Sequence, residues 1–194
     1  MTIRKTGIGW LTALMLISGC QSQVASDDPS IHQQEAVSEV TIPASLLDFA
    51  NTDIEENAES ARDYCTEVRQ QDGNLILVVT EAQRNALIEM NQEKIDDVIH
   101  DAAQANPLYS ITINEDSDQI IFAYDEQIDG LLQARMLLSV TTLSVFNDML
   151  QGGCTDWHRE VVVRNCHTGK TVASGTLPEQ TIAFDMSAWQ ASYE

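Results

Sequence analysis

The sequence predicts an α+β fold, a small antiparallel sheet with two or three helices packed on one face, and three observations carry that expectation. Residues 74–79 (NLILVV) are a compact apolar run of strand length. Residues 81–105 and 126–150 repeat apolar side chains three and four apart, the spacing that lines one face of a helix. Four short runs, 109–113 with Gln119–Tyr124 and Arg159–Asn165 with 171–176, flank polar turns in pairs, as hairpin strands do. With 43% of the chain hydrophobic there is material for a real core, and the roughly 150 patterned residues suit one domain of common size.

Taken in order, the segment 43–50 (PASLLDFA) supplies a first short element. From Asp53 onward, Ile54, Ala58, Ala61, Cys65 and Val68 fall four, three, four and three apart. That spacing predicts an amphipathic helix that stops near Asp72 and Gly73, with Cys65 on its buried stripe. After the strand at 74–79, Thr80 and Gln83 match a capping box. The helix they open places Leu87, Ile88, Ile95, Val98, Ile99 and Ala102 on one face, and it ends before Asn106 and Pro107 because the residue preceding proline avoids the helical region. A hairpin turns through NEDSD. The second long helix, 126–150, is apolar round much of its surface and is expected to bury Leu131, Leu132, Leu138, Val145, Phe146 and Met149 before Gly152 and Gly153 break it. A second hairpin turns through CHTGK, and 181–184 is a candidate last strand. This order of strands and helices resembles a ferredoxin-like two-layer arrangement, which is an analogy of fold and carries no function.

Ahead of this domain lies a different kind of sequence. Arg4 and Lys5 precede an apolar run, Ile8 to Ile17, which polar residues close from Ser18 onward. The run is about half of the roughly 20 apolar residues that a membrane-spanning helix needs, and it has the layout of a signal peptide. Its end, LISGC, has an aliphatic residue, small residues and then Cys20. It resembles the lipobox of bacterial lipoproteins. The resemblance implies cleavage after Gly19, a diacylglyceryl thioether on Cys20 and acylation of the new amino group, and two or three chains make a stable anchor where one binds only marginally. Gln21 stands where an aspartate would favour retention in the inner membrane, so the resemblance points to the outer membrane. The expected organisation is a signal peptide at 1–19, a lipidated cysteine and flexible polar tether at 20–42, and one globular domain at 43–194.

Charge narrows the partners. Loss of residues 1–19 removes Arg4 and Lys5 and no acid, so the formal charge of −20 becomes −22, with 8 basic against 30 acidic side chains. Such a surface repels phosphate backbones and anionic headgroups, so no nucleic acid is expected as a partner, and the lipid at Cys20 must hold the protein to its membrane.

Several constellations suggest chemistry, and each meets a plainer reading. Gly169, Lys170 and Thr171 look like the end of a phosphate loop, yet position 164 is arginine where glycine is needed and a strand follows, so they read as a hairpin turn. Asn114, Asp116, Asp118 and Asp125 fit four positions of a calcium loop, but Gln119 takes the place of its glycine. Cys154, His158, Cys166 and His167 are residue types that zinc uses. With Arg159–Asn165 extended at about 3.3 Å per residue, however, Cys154 and Cys166 stand more than roughly 20 Å apart. No metal and no cofactor is expected. Cys166 and His167 could form a nucleophilic pair, although neighbours in an extended strand face opposite ways.

An oxidising envelope favours disulfides among the mature cysteines. The separation that argues against zinc also argues against a Cys154 to Cys166 bond, and the inward-facing Cys65 is expected to pair with Cys154 at the end of the long helix. The functional expectation is a non-enzymatic, lipid-anchored binding or assembly module for an envelope protein partner, with no catalytic residue. The alternative is a small anchored hydrolase or ligand-binding protein with a site near Asp156, His158 and Glu160; a cleft around His158 would favour it and a flat surface there the first.

Overall fold

The computed structural model describes residues 35–153 and 155–194. The expected signal peptide, Cys20, the first part of the tether and Cys154 lie outside the described residues. In chain order the elements are β1 (Val37–Ile42), α1 (Ala44–Phe49), α2 (Ile54–Ala61), β2 (Glu67–Gln71), β3 (Asn74–Thr80), α3 (Glu81–Ala105), β4 (Ser110–Ile113), β5 (Gln119–Tyr124), α4 (Gly130–Arg135), a π-helical turn (Met136–Val140), α5 (Thr141–Leu150), β6 (Arg159–Asn165), β7 (Thr171–Leu177) and α6 (Met186–Tyr193). The α+β class is as expected. The strands are divided between two sheets, a three-stranded antiparallel one ordered β1-β3-β2 and a four-stranded one ordered β4-β5-β6-β7.

Three differences from the sequence reading account for the second sheet. Val37–Ile42, inside the expected tether, pairs along the whole of β3, with Val40 and Ile42 buried at period two. The helix expected to run from Asp53 to Asp72 ends at Ala61, and Glu67–Gln71 is an edge strand on the other side of β3. Asp72 and Gly73 have φ of 51° and 81° and close a two-residue hairpin turn. Both central residues of such a turn need positive φ, which is why Asp-Gly suits it. Third, β5 and β6 run parallel. The long helical stretch between them makes this possible, since adjacent parallel strands are joined by a crossover of a dozen residues or more. The strand order of the four-stranded sheet is sequential and not ferredoxin-like.

Other elements follow their local chemistry. Thr80 Oγ1 accepts from the Gln83 N–H at 3.2 Å and Gln83 Oε1 accepts from the Thr80 N–H at 3.0 Å, the reciprocal bonds of a capping box. Helix α3 runs from there to Ala105, as expected. The long helix starts at Gly130, capped by Asp129, four residues later than expected, and Leu131 in its first turn is 73% exposed instead of buried. Leu132, Leu138 and Phe146 are half-buried, while Val145 and Met149 are buried. Residues 181–184 form no strand, and the chain closes instead with α6, capped by Asp185, whose Trp189 is buried. One contiguous core joins both sheets, because α3 packs on β3 and β4 and α5 packs on α3 and β1.

Candidate functional site

Two places on the molecule combine unusual surroundings with accessible groups. The first is an apolar socket beneath the three-stranded sheet, lined by Leu46 and Leu47 of α1, Cys65, Leu87 of α3, and Leu143 and Phe146 of α5. Its cavity volume is about 70 Å³, against about 150 Å³ for an apolar cavity that takes benzene and about 300–1,000 Å³ for sites that bury a drug-sized ligand. The socket therefore fits one apolar side chain and not a small molecule of metabolite size. Polar groups at its wall are Asn91, whose amide donates to Asn147 Oδ1 at 2.8 Å, Lys94, and Thr142, whose buried hydroxyl has no partner among the described residues. Burial lowers the Lys94 ammonium from its ordinary range and pushes the Cys65 thiol up to about 11. That thiol stays protonated and is a poor nucleophile near neutral pH.

The second is a polar cluster at the end of β5 and the turn from β6 to β7. Asp125, just past β5, accepts from the Tyr109 hydroxyl at 2.6 Å and the Gln127 N–H at 3.0 Å on Oδ1, and its Oδ2 lies 3.1 Å from His167 Nε2. Burial alone would raise the Asp125 carboxyl; Tyr109, Gln127 and His167 outweigh it and hold the group below its usual range. The turn is fixed by Asn165, which is fully buried: its Oδ1 accepts from the His167 N–H at 2.8 Å, its Nδ2 donates to Ser192 Oγ at 2.8 Å, and its carbonyl accepts from the Gly169 N–H at 2.8 Å. Tyr193 lies against the His167 ring with centroids 6.0 Å apart and donates its hydroxyl to Glu126 at 2.6 Å. Ligand atoms of Asp125, Cys166 and His167 all lie within 4.8 Å of one another. Burial raises the half-buried Cys166 thiol, and the Asp125 charge raises it further.

Sequence reasoning did not assemble this cluster. The sequence places Cys166 and His167 in the CHTGK turn, where they do lie, but the extended geometry used to separate them as a pair does not apply there, because β6 ends at Asn165. Asp125 comes from the other hairpin, and only the parallel pairing of β5 with β6, which sets Tyr124 beside Asn165, brings it alongside. The available signal is the long helical connection, which parallel pairing of neighbouring strands needs.

The residues of the alternative site are placed otherwise. Trp157 is buried and donates its Nε1–H to Ser45 Oγ at 3.1 Å, so Asp156 and His158 on either side of it point to solvent. His158 Nδ1 lies 2.7 Å from Glu179 Oε1 and its Nε2 3.9 Å from Asp156 Oδ2. Glu160 turns to Gln119, accepting from its Nε2 at 2.6 Å. These three form an exposed row, not the walls of a cleft. Among the described residues Cys65 and Cys166 form no disulfide; the expected partner of Cys65, Cys154, lies outside them. Among the described residues no helix is long and apolar enough to cross a membrane. No protein-family model matches this chain, and neither a curated protein nor a solved structure is similar to it.

Proposed function

We propose that this chain is a lipid-anchored cell-envelope protein, attached at Cys20 and held in the outer membrane, that acts as a non-enzymatic binding or assembly module for an envelope protein partner. The observation that carries the reading is the apolar socket: at about 70 Å³ it has room for one side chain of a partner. The chain around it is strongly acidic, with 30 acidic against 10 basic side chains. The partner segment that fits this surface places one large apolar residue among basic ones, since opposite charge speeds and orients docking while a buried apolar anchor supplies affinity. The exposure of Asp156, His158 and Glu160 supports this reading over the hydrolase alternative.

The test uses the full chain in its own envelope. A photo-crosslinking residue at Leu47 or Phe146 should trap a discrete adduct that fades as salt rises, and one at Ser174 on the exposed face of β7 should not. Equal adducts at all three positions would overturn the socket as the docking site. Mass spectrometry of the membrane fraction should find a lipidated peptide starting at Cys20, and Cys20→Ala should leave an unlipidated precursor; a mature protein beginning elsewhere would overturn the anchor.

A further inference from the structure

We infer that Asp125, Cys166 and His167 form a binding site for a divalent cation of zinc's class, borderline-soft and content with mixed oxygen, sulfur and nitrogen ligands. The three donors come from two separate segments that the parallel pairing of β5 and β6 brings together, and they lie within 4.8 Å of one another. Zinc bonds of about 2.0–2.3 Å place tetrahedral donors about 3.3–3.7 Å apart. The carboxylate and the imidazole, at 3.1 Å, are already that close. Cys166 completes the set with an inward shift of at most about 1 Å, which a turn residue can supply more easily than a strand residue.

The surroundings resemble a prepared site more than a chance cluster. Asp125 Oδ1 is held by the Tyr109 hydroxyl and the Gln127 N–H, which leaves Oδ2 facing the histidine and free to turn to a metal. The Cys166 N–H donates to the Tyr124 carbonyl at 3.0 Å, and the His167 N–H is held by Asn165, so the backbone beneath both ligands is fixed. Such outer partners orient metal ligands and raise their affinity. Charge also balances: a divalent cation with one carboxylate, one thiolate and one neutral imidazole is neutral overall, so this half-buried site avoids the cost of an uncompensated charge. In binding, the sulfur–hydrogen bond of Cys166 breaks, the sulfur–metal bond forms and one proton leaves to solvent; the proton that His167 Nε2 directs at Asp125 Oδ2 is replaced by one on Nδ1, so the imidazole stays neutral and Nε2 is free to bind. Three protein ligands leave a fourth position open to water.

The experiment titrates Zn²⁺, and separately Co²⁺, into the metal-stripped, reduced full-length protein in detergent. One ion per chain should bind, with release of one proton, a rise in Tm, and for Co²⁺ a sulfur-to-metal charge-transfer band with the intense visible bands of a four-coordinate ion. Cys166→Ser should abolish the charge-transfer band, and Cys166→Ser and His167→Gln should each weaken Zn²⁺ binding by at least ~10-fold. Both positions are at the surface end of the cluster, so these variants should fold. His158→Ala, which removes the exposed histidine beside Asp156 and Glu179, should change nothing. Absence of binding, absence of the sulfur band, or binding lost with His158 and kept without Cys166 would each overturn the site.

Discussion

Cys65 and Cys166 share a chemistry and sit in regions built on opposite principles. Cys65 lines a socket of leucine and phenylalanine side chains, where contact energy is non-directional and a gap of one side chain is tolerated. Cys166 sits beside Asp125, His167 and Asn165, where nearly every polar atom has a named partner at 2.6–3.1 Å. The first region can admit a foreign side chain without breaking any bond. The second can admit only something that replaces the bonds already made, such as a cation. A surface for partners and a site for an ion are therefore not interchangeable here, and each loss should be felt differently.

The largest difference is expected from the proposed link between Cys65 and Cys154. It would close a loop of about 90 residues and stabilise the fold by up to about 4–5 kcal/mol in the chain-entropy model. Non-reducing digestion of protein taken from the envelope should give one peptide joining Cys65 to Cys154, with Cys166 open to alkylation. A link between Cys154 and Cys166 would abolish both the asymmetry and the metal site. Next comes Phe122→Ala. Phe122 is fully buried in β5, between β4 and β6, and its removal should cost about 3–5 kcal/mol in urea unfolding. Leu143→Ala at the socket should cost less, because a side chain beside an existing cavity has fewer neighbours to lose. Equal losses would mean that the socket is as tightly packed as the sheet.

The two regions should also part on the pH scale. The Asp125 carboxyl is held below its usual range, so its contribution is present above the ordinary carboxylate range and is lost as pH falls through the folded value. The Cys65 thiol is raised from 9.0 to about 11, so in the reduced protein its contribution is intact below 9 and is lost as pH rises toward 11. Stability curves should show Asp125→Asn flattening the acid limb and Cys65→Val flattening part of the alkaline limb. If each variant altered the other limb, the causes assigned to both shifts would be wrong.

How much of this was legible in the sequence depended on whether the signal was local. The capping box at Thr80, the end of α3 before Pro107, the hairpin through NEDSD and the strand Arg159–Asn165 are local patterns, and each appears where expected. The edge strands β1 and β2 were not seen, because an exposed strand such as Glu67–Gln71 has no buried face to impose alternation. With its two partners unread, β3 is counted into a single sheet with the hairpin strands. The Asp125 cluster was invisible for a related reason: it depends on a parallel pairing that a hairpin reading of the strands does not contain.

The smallest expected effect tests that misread segment. Residues 54–68 have helical spacing, and on that pattern Gly73 would mark a helix end. A helix that ran on through this position would be stabilised by Gly73→Ala by about 1 kcal/mol, whereas one that ended here would favour glycine in the left-handed conformation and lose stability with alanine, as the hairpin does. In the hairpin, Gly73 has φ of 81°, a conformation that costs an alanine about 1–2 kcal/mol. An added Cβ would meet only the Ala44 Cβ at 3.6 Å, an ordinary contact, so no clash adds to the backbone term. Gly73→Ala should therefore lower stability by about 1 kcal/mol, while Gly73→Asn, which tolerates the left-handed region, should recover part of the loss. A gain in stability from alanine would mean that Glu67–Gln71 is helical, and with β2 gone the three-stranded sheet above the socket would lose an edge.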